Sequence, residues 1–81
     1  MNKFCIKKNA GSVGSPWLST FRAEPMYSSL DYLTEGIASL IVFPTAEAAR
    51  NFIKEQPKLC DELCVVCEAT EGADGRMFPV Q

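Results

Sequence analysis

Residues Ile37–Pro57 read IASLIVFPTAEAARNFIKEQP, and this stretch decides the fold. Ile37 to Phe43 is almost wholly apolar. A run this short, closed by a turn signal, predicts a strand buried on both faces. Pro44 removes a backbone donor and ends the ladder. Thr45 is an N-cap, because its hydroxyl can accept from an orphan amide of the first turn. Glu47 suits the positive end of the helix dipole. From Ala46 to about Gln56, the side chains of Ala48, Ala49, Phe52 and Ile53 fall on one helical stripe. Glu47, Arg50, Asn51, Lys54 and Glu55 face water. Pro57 forces Gln56 away from helical angles and closes the element.

Upstream, Asn2 to Lys8 predicts a first strand, with Phe4 and Ile6 on one face and Lys3, Cys5 and Lys7 on the other. Asn9 to Pro16 is a Gly/Ser-rich loop. Trp17 to Phe21 predicts a second strand, antiparallel to the first, with Trp17, Ser19 and Phe21 on one face and Leu18 and Thr20 on the other. Pro25 argues against regular structure between Arg22 and Gly36. That segment is expected as an ordered loop in which Ser29 caps a helical turn through Leu33 and Gly36 ends it. Downstream, Leu63 to Ala69 predicts a strand centred on β-branched Val65 and Val66. Glu71 to Gly75, EGADG, is a turn. Arg76 to Val80 completes a hairpin, and Pro79 marks a sheet edge. The order is β-β-β-α-β-β, an α+β domain with one helix on one face of a mostly antiparallel sheet.

This order leaves a face to account for. Leu40 and Val42 point one way and Ile41 and Phe43 the other, yet one helix covers one side. Either the 22–36 segment folds over the second face, or the sheet curls, or another chain covers it, and an uncovered patch marks an interaction site.

Composition bounds the rest. The chain has 81 residues, one domain spanning 1–81. A chain this short buries roughly 60–65% of its unfolded surface. The apolar share of 47% and charged share of 22% are those of a globular domain. A net charge of −2 argues against a nucleic-acid binder, which carries a basic patch. No apolar run is long enough to span a bilayer, and the N-terminus lacks the apolar core of a secretory signal. A cytoplasmic protein with reduced thiols is expected. There is no histidine, which removes the commonest general base and the commonest zinc ligand.

Four cysteines carry the remaining chemistry: Cys5, Cys60, Cys64 and Cys67. Cys60, Cys64 and Cys67 have the CxxxCxxC spacing with which radical S-adenosylmethionine enzymes hold an iron–sulfur cluster, but here the motif runs into a predicted strand. A zinc site with Cys5 as fourth ligand meets the same obstacle. In a strand, residues three apart face opposite ways, roughly 10 Å apart, whereas Zn–S bonds are about 2.3 Å. A redox dithiol at Cys64 and Cys67 lacks an activating helix N-terminus. Core filling is the simplest reading, and no cofactor is expected. A cysteine-based zinc or redox module stays as the alternative.

The acids Asp31, Glu35, Asp61, Glu62 and Glu68 form no acid–base pair, so no catalytic residue is nominated. Gly11 to Ser15 lacks the Gly-Lys-Ser/Thr ending of a phosphate loop. Lys3, Lys7 and Lys8 with Trp17 and Phe21 offer a weaker alternative, single-stranded nucleic-acid binding by charge and stacking. Candidates for protein contact are Trp17, Met26, Tyr27 and Tyr32, since Trp, Tyr and Met are enriched at interface centres. Met26 and Tyr27, beside Pro25, are the ones expected to be exposed, whereas Trp17 reads as core.

The pattern FCIKKN (Phe4–Asn9), WLSTF (Trp17–Phe21), IVFPTAEAARNFI (Ile41–Ile53) and LCVVCEA (Leu63–Ala69) resembles small phage- and prophage-encoded proteins. Their shared features are structural positions, with no catalytic motif. Most have no assigned role, and some proteins of this size inhibit host defences such as CRISPR systems. The short chain, the absent catalytic set and the doubly apolar central strand point to a small, non-enzymatic protein-binding domain, and the resemblance implies one that inhibits a host complex by occluding a surface. Self-association as a homodimer would satisfy the same surface.

Overall fold

The structure, a computed structural model, describes residues 3–9, 14–60 and 64–80. The middle of the predicted Gly/Ser loop, the acids Asp61 and Glu62, and Leu63 lie outside the described residues. The elements run β1 (Lys3–Lys8), β2 (Trp17–Phe21), β3 (Glu24–Ser28), α1 (Leu30–Thr34), β4 (Ser39–Leu40), α2 (Ala46–Glu55), β5 (Cys64–Glu71) and β6 (Met77–Pro79). The domain is α+β, as the sequence predicts. It has one six-stranded sheet ordered β3-β2-β1-β5-β6 with β4 beside β2, and every pairing among the described residues is antiparallel.

The long helix forms for the reasons its sequence gives. Thr45 is the N-cap and its hydroxyl accepts from the Ala48 amide at 3.0 Å. Its apolar stripe of Ala48, Ala49, Phe52 and Ile53 meets Ile6, Leu18, Phe43, Cys60 and Cys64 on one face of the sheet. The Phe43 and Phe52 rings lie 5.3 Å apart, tilted by 52°, within the range of favourable aromatic pairs.

The middle ribbon departs from expectation. Ile37 to Phe43 is not one long central strand. Only Ser39 and Leu40 pair with β2, opposite Thr20 and Ser19. Three residues on, Phe43 exchanges backbone bonds with Phe4 of β1, at 2.7 and 2.9 Å. β1 and β2 run antiparallel to each other, yet the ribbon is antiparallel to both, so it must turn between Leu40 and Phe43. It does so in a gap. β1 and β2 are paired only near Lys7 and Trp17, and they splay beyond it. The alternation nevertheless holds: Ile41 and Phe43 join the cluster under α2, and Leu40 and Val42 join the other cluster.

That second cluster answers the question of the uncovered face. It gathers Cys5, Trp17, Leu33, Ala38 and Ala69, with Leu30 of α1 and Met77 and Phe78 of β6 beside them. The 22–36 segment therefore folds over the second face, through Leu30 and Leu33. Ser29 caps α1 as expected, accepting from the Tyr32 amide at 3.3 Å. The same segment corrects the reading of Arg22 to Ser28. Arg22 and Ala23 are a tight turn, and Glu24–Ser28 is not loop but the hairpin strand β3, paired residue for residue with β2.

Candidate functional site

Side-chain alternation along β5 decides what the cysteines can do together. Cys64 enters the cluster under α2 and Cys67 enters the one under α1. Cys60 joins Cys64, and Cys5 lies with Cys67. Four sulfurs split two and two across a sheet cannot surround one ion, so a site built on Cys5, Cys60, Cys64 and Cys67 together is not what the fold makes. Among the described residues no three metal-ligating side chains converge.

The Cys60–Cys64 pair is tied to Tyr27. The Tyr27 hydroxyl donates to the Leu59 carbonyl at 2.7 Å, and lies 3.4 Å from Cys60 Sγ and 3.1 Å from Cys64 Sγ. Burial first, and then these two thiols, push the Tyr27 phenol well above its usual range. Tyr27 thus fastens β3 to the segment after α2. It is half-buried, a correction to its expected exposure in a loop, and Met26 is half-buried in the same strand.

Trp17 is core, at 5% exposure. The basic residues lie against aromatic rings: Lys7 Nζ sits 5.4 Å from the centre of Trp17, and Lys8 Nζ 5.3 Å from that of Tyr27. Of the two rings named for stacking on single-stranded nucleic acid, Trp17 is buried and Phe21 carries the Arg22 guanidinium 5.2 Å from its centre.

Tyr32 is the one partner candidate that is exposed, at 43%. Ile37, not singled out in the sequence, is beside it at 45%, because its amide donates to the Tyr32 carbonyl at 3.0 Å. Their sequence neighbours Leu33 and Ala38 line a shallow cavity of about 130 Å³ with Ser39, Leu40, Met77 and Arg76. Arg76 reaches across to donate to the Leu33 and Thr34 carbonyls at 3.4 and 3.2 Å. It supplies the cation that α1 lacks in its own last turn. Gly36, at φ 77°, makes the turn, and a Cβ there would lie 3.1 Å from the Arg76 guanidinium. Asp31 and Glu35, both exposed, flank Tyr32 on the same turn. The signal for this patch was present in the sequence: an Ile directly after the helix-ending glycine starts outside the sheet.

A second, wider cleft of about 570 Å³ opens near the other end of the same face, lined by Lys7, Pro16, Trp17, Leu30, Cys67 and Val80. No helix among the described residues is long and apolar enough to cross a membrane. The chain matches no protein-family model, and no curated protein or solved structure is significantly similar to it.

Proposed function

We propose that this protein is a small, non-enzymatic binding domain, working in the cytoplasm, that docks a partner protein on the Tyr32–Ile37 patch. The observation that carries this is the exposure of two large side chains, Tyr32 and Ile37, joined through their backbones, whose sequence neighbours Leu33 and Ala38 line a cavity. Tyrosine and arginine are enriched at interface centres. The cavity admits one apolar side chain of the partner, and Asp31 and Glu35 call for basic residues around it. The resemblance to phage- and prophage-encoded proteins supports a host complex, such as a defence system, as the partner whose surface is occluded.

The test pairs Tyr32→Ser with Ile37→Asp. Both positions are exposed, so the double variant should melt within a few degrees of the parent. A partner captured by the parent protein and then purified should bind the variant at least about tenfold more weakly. Equal binding by both proteins overturns the proposal. Sedimentation of the pure protein identifies the competing occupant: a dimer dissolved by the same substitutions makes the partner a second copy of this chain.

A further inference from the structure

We propose that Cys67 is a modification site for low-molecular-weight disulfides, and that Cys5, directly opposite it on β1, resolves the adduct into a Cys5–Cys67 disulfide. The register places the two residues face to face. Phe4 spends its amide and carbonyl on Phe43, so the next residue, Cys5, turns its own toward β5. Cys5 and Cys67 are thus a hydrogen-bonded pair, whose Cα atoms lie about 5.5 Å apart. Disulfides span about 4.4–6.8 Å between Cα atoms. Both side chains enter the same cluster.

The two thiols are not equivalent, and that sets the order of events. Cys67 is half-buried and lines the wide cleft, while Cys5 is fully enclosed. A small disulfide can therefore reach Cys67 alone. Lys7 lines the same cleft and lies diagonally across the ladder from Cys67, so its positive charge draws an anionic small disulfide such as oxidised glutathione into the cleft. Cys60 and Cys64 are screened on the opposite face, buried beside Tyr27.

The chemistry is thiol–disulfide exchange. The Cys67 thiolate attacks one sulfur of the small disulfide and breaks its S–S bond. One half leaves as a thiolate and takes up the proton that Cys67 has lost. The Cys5 sulfur then attacks the Cys67 sulfur of the mixed disulfide. The second half leaves and takes up the proton from Cys5. The protein dithiol is oxidised by two electrons and the small disulfide is reduced to two thiols. Burial, with the neighbouring Cys67 adding to it, pushes the Cys5 thiol up to about 12. The second step is therefore slower than the first, and the adduct accumulates before the cross-link.

The experiment treats the folded protein with oxidised glutathione and follows intact mass and unreduced peptide maps over time. The expected course is one glutathione added at Cys67, then its loss with Cys5 and Cys67 peptides joined. The cross-linked form should melt roughly 10 °C higher. Cys5→Ala should stop at the adduct, and Lys7→Gln should slow its formation several-fold. No adduct on Cys67, an adduct that never resolves in the parent protein, or a link that joins Cys60 or Cys64 overturns the proposal. The parent protein's peptide map decides the matter even if Cys5→Ala folds poorly.

Discussion

Tyr27 joins parts of the chain far apart in sequence, through one hydroxyl bonded to Leu59 and touching two thiols. Tyr27→Phe keeps the ring and removes that bond. The loss should be about 1 kcal/mol, read from denaturant midpoints at unchanged slope. Cys5 carries a pH prediction. Its thiol is raised from 9.0 to about 12 in the fold, chiefly by burial. A raised acid favours the protonated folded state, so its contribution is complete below pH 9.0. Above that the unfolded chain gives up its proton first. Stability then falls as pH climbs from about 9 toward about 12. Tyr27 adds a fall of the same sign. Urea titrations between pH 8 and about 11 should show the decline, and Cys5→Ala should make it shallower.

At the scale of elements, the β2–β3 hairpin is the one the sequence hides. Its two-residue turn is Arg22–Ala23, with φ of 53° and 65°, both left-handed. Asn-Gly is the usual signal for such a turn, and neither residue here supplies it. Pro25, the argument against a strand, is tolerated because of where it falls. Counting from the turn, the pair Thr20–Pro25 is one whose Pro25 backbone faces away from β2, at the sheet's open edge. Its missing donor also blunts that edge against other strands. The joint substitution Arg22→Asn with Ala23→Gly should stabilise the protein by about 1–2 kcal/mol, measured by thermal melting. By contrast α2 was legible almost to the residue, since Thr45, Pro44 and Pro57 punctuate it locally.

Across the whole molecule, two apolar layers sandwich the sheet, and the short helix α1 is the lid of the second. Leu33, at 2% exposure, is the residue that seats it. Leu33→Ala should cost about 3 kcal/mol and increase binding of a hydrophobic dye, read by unfolding and fluorescence. The alternation of Leu40, Ile41, Val42 and Phe43 told correctly that two faces needed cover. It could not tell that β1 and β2 splay, because the break in that ribbon depends on partners far away in the chain. The four cysteines show the same division. The opposite facing of Cys64 and Cys67 follows from strand geometry alone, whereas the meeting of Cys5 with Cys67 depends on long-range register.

The ladder between β1 and β5 joins Lys3–Lys8 to residues more than fifty positions later. Synthesis from the N-terminus makes the first of these strands early and leaves it without its neighbour until the other has emerged. A ribosome-bound nascent chain that has exposed only residues up to 60 should be degraded quickly by protease, and one that has exposed residue 80 should resist it.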